Sequence, residues 1–158
     1  MQNSPATSFS GISEHLDAML AVPDAVLVAA APQHADGLLA LGEAILEIWL
    51  AARGETPTMD TVEGFRVLAL HRQGARGEPS LNACRETCRE LVYHRNLVCL
   101  EPGHADCARR LRLGAMVARH LLLFVSGKLE VAGLGEFCCS SRPLRQHEAS
   151  AQSVESVR

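Results

Sequence analysis

Residues 80–100 read SLNACRETCRELVYHRNLVCL. At about 100° per residue, Leu81, Cys84, Cys88, Leu91, Val92 and Cys99 fall within one arc, and Arg85, Glu86, Arg89 and Glu90 fall opposite. That is the period of an amphipathic helix, not the alternation of a strand. Ser80 reads as its N-cap and Pro102–Gly103 as its stop. Cys84 and Cys88 stand four residues apart on the core-facing side.

Four further helices are predicted around this one. Residues 10–21 place Ile12, Leu16, Met19 and Leu20 at helical spacing, with Ser10 as cap and Pro23 as stop. Residues 24–31 are apolar but too short to assign. A helix over 35–53 ends at Gly54. Asp60 with Glu63 resembles a capping box opening a helix over 60–73, and GARGEP (74–79) is a loop by its Gly and Pro content. The last helix spans 104–126, with Gly127 as its C-terminal signal, followed by an apolar stretch over 129–137. Short connections make neighbouring helices antiparallel. The expectation is an all-α antiparallel bundle of four to five helices. Residues 1–9 are expected to form a flexible N-terminus, 10–137 a single helical-bundle domain, and 138–158 a flexible, mobile C-terminal tail.

Composition narrows the class. The chain has 158 residues, 47% hydrophobic and 21% charged, enough to bury a core without disulfide staples. Aromatics are only 4%, so Leu, Val and Ala must fill that core. The longest apolar stretches, 37–52 and 113–125, are interrupted by charges and fall short of a membrane span. MQNSPATSFSG lacks the basic-then-apolar pattern of a secretory signal. The expected location is cytoplasmic, where six cysteines are thiols, ligands or redox centres rather than structural disulfides.

Charge is unevenly distributed. Residues 1–65 carry one Arg against nine Asp or Glu, and residues 66–145 carry thirteen Arg or Lys against seven acids. Either the acidic half docks on the basic half within one fold, or the basic half faces an acidic partner or nucleic acid. Of the 15 basic residues all but Lys128 are Arg, which also fits a coding bias.

Ligand chemistry centres on the cysteine pair. Counting back from the 102–103 turn sets Cys84 and Cys88 near residues 121 and 117 of the last helix. There Leu113, Met116, Val117, His120 and Phe124 read as the core face. His71, entering the 74–79 loop, reaches the same region. Cys84, Cys88, His120 and His71 form a candidate metal set of types that suit zinc, copper or iron. A spacing of four on a helix lacks the knuckle that wraps both sulfurs round one ion, and buried Cys also packs as a small hydrophobe. A redox role would need a thiolate stabilised by Arg85, His71 or the helix N-terminus. His104, Cys107 and Cys99 meet at the turn as a smaller cluster, and Cys138–Cys139 are vicinal before the tail. Glu43 and Glu47 do not make a di-iron site, because no Glu-x-x-His occurs; with Asp36 they read as a solvent stripe. Arg95 lies within the apolar arc and either snorkels or meets a carboxylate of the acidic half.

No phosphate-binding glycine loop, G-x-S-x-G, H-E-x-x-H or nucleophile–base–orienter set is present, which points away from an enzyme. The leading expectation is a non-catalytic accessory or regulatory bundle with a buried Cys/His metal-binding or redox-sensing site. The alternatives are a helical protein–protein interaction module with cysteines as core filler, and an Arg-rich nucleic-acid-binding regulator. Against the last, six loop residues between the third and fourth helices exceed a helix-turn-helix turn. The last helix is apolar round most of its circumference, as a central helix or subunit interface would be, so a homodimer is expected, with no membrane partner.

Overall fold

A computed structural model describes residues 8–134. Within them the chain is all-α, six helices and one 3₁₀ turn with no strand. The helices are α1 (Phe9–Ala21), α2 (Asp24–Ala29), α3 (Ala31–Ala52), α4 (Arg66–Ala75), α5 (Arg85–Leu100) and α6 (Cys107–Ala132), with the 3₁₀ turn Asn82–Cys84 leading into α5. Most of the expected N-terminus, the 138–158 tail and Cys138–Cys139 lie outside the described residues. No described helix is long and apolar enough to cross a membrane.

Local chemistry sets the boundaries, and several differ from expectation. Ser8, not Ser10, caps α1: its hydroxyl accepts from the Gly11 N–H at 3.0 Å. Asp24–Ala29 forms the short helix α2, a turn at Ala30 follows, and α3 starts four residues early because Pro32 suits a first helical turn, where its missing N–H has no intrahelical bond to make. The capping box is absent. Glu63 and Gly64 have φ of 54° and 84°, which a helix cannot accommodate, and Val62 and Phe65 exchange hydrogen bonds across them. The helix therefore begins at Arg66. Ser80 does not cap α5 but donates to the Ala75 carbonyl at 2.6 Å and accepts from the Asn82 N–H, bracing the connecting loop. Finally, α6 runs through Gly127 and stops at Gly133, whose φ of 68° provides the left-handed cap.

The three longest helices, α3, α5 and α6, pack on one another. α1 and α2 cover α6, while α4 closes against α3 and α5. One continuous core runs through them, with Trp49, Ile45, Leu46, Leu91, Leu111 and Leu121 among its buried members. On α6 the buried face is Leu111, Gly114, Ala115, Ala118, Leu121, Leu122 and Val125. This corrects the expected core face in part: Leu113, Met116 and His120 are exposed, while Val117 and Phe124 are half-buried against the core. Small residues let α6 approach its neighbours: a Cβ on Gly114 would come within 3.0 Å of Leu38.

The charge asymmetry is resolved largely inside the fold. Acids of the first half meet arginines of the second: Asp17 with Arg119, Asp24 with Arg112, Asp36 with Arg95, Glu47 and Glu43 with Arg66, and Glu63 with Arg89. Arg95 thus takes a carboxylate and lies over the Phe65 ring. Glu43 and Glu47 are half-buried at Arg66 rather than a bare solvent stripe. Arg112 also donates to the Leu20 and Val22 carbonyls, clamping the α1–α2 corner.

Candidate anion-binding site

Cys84 and Cys88 face the core, as their helical phase requires, at 2% and 0% exposure. Burial disfavours the charged thiolate and pushes Cys84 up to about 11 and Cys88 to about 12. Both are neutral thiols at physiological pH. His71 is buried beside the Leu81 backbone, 3.1 Å from its carbonyl; since a carbonyl only accepts, Nε2 carries the proton. Desolvation, then the positive field of Arg85 and Arg89, lowers the His71 pKa against the raising effect of that hydrogen bond. His120 does not join them. It is exposed on the outer side of α6, in a shallow groove with Thr87, Glu90, Tyr93 and His94, because the core face of α6 is the small-residue face. Among the described residues, no group of three or more His, Cys, Asp or Glu is gathered for a metal ion. Cys99 is half-buried and Cys107 buried at the α5–α6 turn, where His104 Nδ1 accepts from the Asp106 N–H.

The polar feature that does assemble is a cleft between α4, the 3₁₀ turn and the start of α5. Its volume is about 280 Å³, and Arg72, Arg76, Arg85, Arg89, Asn82 and His71 line it over an apolar floor from Val62, Leu68 and Ala75. Arg85 and Arg89 are one helical turn apart at the start of α5, and Arg72 in the last turn of α4 and Arg76, the extended residue that ends it, bring two more cations to the same cleft. Arg89 meets Glu63 at 3.2 Å. Among the described residues, Arg72, Arg76 and Arg85 have no carboxylate or carbonyl partner for their side chains. The acidic half neutralises arginines elsewhere in the bundle and leaves these three together.

The cleft is held from behind. Arg53, at the end of α3, donates to the Gly74, Pro79 and Arg76 carbonyls at 2.9, 3.0 and 2.7 Å. It also pairs with Glu55 and lies over the Trp49 ring. Gly77 completes this clasp: its φ is 77°, and a Cβ there would come within 2.9 Å of the Arg53 guanidinium. A second cavity of about 700 Å³ adjoins the first, sharing Val62, Arg72 and Arg76 as its wall and extending along Thr58, Met59, Asp60 and Thr61. That segment is pinned by Gln73, which accepts from the Thr58 N–H and donates to the Thr56 carbonyl, and by Arg66, which donates to the Thr58 carbonyl.

No family model, curated protein or solved structure matches this chain. The site therefore rests on its own residues. Its sequence signal is the pair of Arg-x-x-x-Arg spacings, RQGAR at 72–76 running into the 74–79 segment and RETCR at 85–89 beyond it. Which arginines stay unpaired depends on where the distant acids land, and spacing does not carry that.

Proposed function

We propose that this chain is a non-catalytic accessory module that binds a ligand or partner through an anionic group, seated in the cleft between α4 and α5. One observation carries the reading: three guanidiniums without acidic partners line a single cavity in a fold that pairs most of its other arginines. Like charges held together repel, and an arriving anion relieves that repulsion while its oxygens receive charge-assisted hydrogen bonds. The one imidazole at the cleft, His71, is committed to the Leu81 carbonyl, which favours binding over proton transfer. Cys84 and Cys88 are core filler in this reading. Calorimetric titration of the full chain with inorganic phosphate and citrate at low salt tests it. Saturable binding that weakens with salt and is lost in Arg72→Gln/Arg85→Gln supports it; no heat from either anion in the wild type overturns it.

A specific observation favours a second reading, self-association. Leu113, Met116 and Leu123 are exposed along α6, and exposed Tyr93 of α5 faces the same groove as Leu113 and Met116. Their spacing leaves an apolar stripe suited to a second helix pair. Sedimentation of wild type against Met116→Glu/Leu123→Glu decides it, a monomeric wild type being the adverse result.

A further inference from the structure

We infer that the anion is a phosphomonoester carried on an uncharged polar body, with the phosphoryl group among Arg72, Arg76 and Arg85 and the body along residues 58–62. This deepens the anion-binding reading and rests on it.

The first argument is a match of charge and acceptors. The cleft offers three unpartnered guanidiniums and the Asn82 amide, while Arg89 is already occupied by Glu63. A carboxylate brings one charge and two oxygens. A phosphomonoester brings about −1.5 to −2 charges at neutral pH and three terminal oxygens, one for each free guanidinium fork.

The second argument is the shape of the space around that group. The cleft is not closed: Arg72 and Arg76 form a wall shared with the larger cavity, so a ligand anchored there can extend along that wall into it. Beyond the arginines the lining changes character, to Thr58, Thr61, Gln73 and the exposed Met59. Asp60 is also there, and with Glu63 beside the arginines it repels a second negative charge. A nucleic-acid strand, with a phosphate at every nucleotide, would meet these carboxylates as soon as it left the cleft. An ester with one charged end and a neutral, hydrogen-bonding remainder passes Asp60 without that repulsion.

A phosphorylated hydroxyl on a protein segment and a free phosphosugar share this chemistry, and the test separates them. The full chain is titrated calorimetrically with inorganic phosphate, glucose 6-phosphate, a neutral pentapeptide bearing central phosphoserine, its unphosphorylated form, citrate, and a single-stranded oligonucleotide. One of the two phosphoesters is expected to bind about tenfold or more tighter than inorganic phosphate and citrate, and whichever does so names the source. Arg72→Gln/Arg85→Gln is expected to lose that binding. Thr61→Val is expected to weaken the ester several-fold and leave inorganic phosphate unchanged. These positions are exposed or at the rim, and unaltered thermal unfolding confirms that the variants fold. Citrate or the oligonucleotide binding as tightly as either ester, or Thr61→Val affecting all probes alike, overturns this inference and leaves the anion site standing. Absence of binding by every probe overturns both.

Discussion

The guanidinium of Arg53 donates to the backbone carbonyl of Arg76 at 2.7 Å, so a residue ending α3 fixes the backbone of an arginine that lines the cleft. The same side chain holds Gly74 and Pro79, and only 8% of it is exposed. A planar fork with five donors serves these three carbonyls and the Glu55 carboxylate at once, one acceptor more than the three donors of an ammonium can satisfy.

Arg53→Met is therefore expected to destabilise the fold by about 3 kcal/mol, since it leaves several carbonyls and Glu55 without their donor. For a chain of this size that lowers the midpoint of thermal unfolding by roughly 6–12 °C. Fluorescence of Trp49, the single tryptophan, which packs against the same guanidinium, follows the transition. Arg53→Lys is expected to recover little of the loss. A midpoint within a degree or two of wild type would show that the loop is held by other means.

Glu63 has a φ of 54°, unusual for a residue with a side chain, and its carboxylate occupies Arg89. Asn tolerates the left-handed region better than Glu and carries no charge. Glu63→Asn is expected to hold or raise stability by up to about 1 kcal/mol while freeing a fourth guanidinium. Affinity for inorganic phosphate should rise several-fold in titration. Unchanged affinity would mean that Arg89 takes no part in anion binding.

How much of this was legible depends on contrast along each helix. Over residues 80–100 charged and apolar residues segregate, so Leu81, Cys84, Cys88, Leu91, Val92 and Cys99 were placed inside by phase alone; all are buried but Cys99, which is half-buried. In α6 nearly every position is apolar or small, and reading by bulk selects Leu113, Met116 and His120. The fold instead buries Gly114, Ala115 and Ala118, because close helix approach rewards small side chains over large ones. That misreading set His120 opposite the cysteines, whereas it lies in an outer groove. At 60–66, Asp60 and Glu63 match a capping box, but the Glu63–Gly64 turn overrides it. The arginine pairs were visible as spacing; their lack of partners follows from long-range pairings such as Asp36 with Arg95, which no local pattern encodes.

The thiols of Cys84 and Cys88 should resist modification. With Cys88 raised to about 12 and Cys84 to about 11, the thiolate fraction at pH 8 is very small, and both side chains are buried. Mass-spectrometric mapping after iodoacetamide treatment is expected to find both unmodified in the native protein and labelled after denaturation. An acid whose folded pKa is raised stabilises the fold below its ordinary pKa of 9.0, and loses that contribution as pH climbs through the folded values. Unfolding is accordingly easier between about pH 9 and 12, and Cys84→Ala/Cys88→Ala should flatten that alkaline slope. Rapid native labelling of either thiol at pH 8 would restore a redox role.

Acid sensitivity should come first from His71. Its folded pKa lies below the ordinary 6.5, so between the two values the unfolded chain binds the extra proton. The sign follows: stability is full above about 6.5, falls as pH drops below it, and levels off beneath the depressed folded value. His94, lowered by desolvation against the raising effect of Glu90, acts in the same direction. Urea midpoints between pH 7.5 and 5 are expected to fall in the wild type and to fall less in His71→Gln, whose amide can still donate to Leu81 but does not titrate. Bound anion works against this trend, because it offsets the Arg85 and Arg89 field that helps keep His71 neutral. Saturating phosphate should therefore raise the His71 pKa measured by NMR titration; an unmoved imidazole would place the anion away from Arg85 and Arg89.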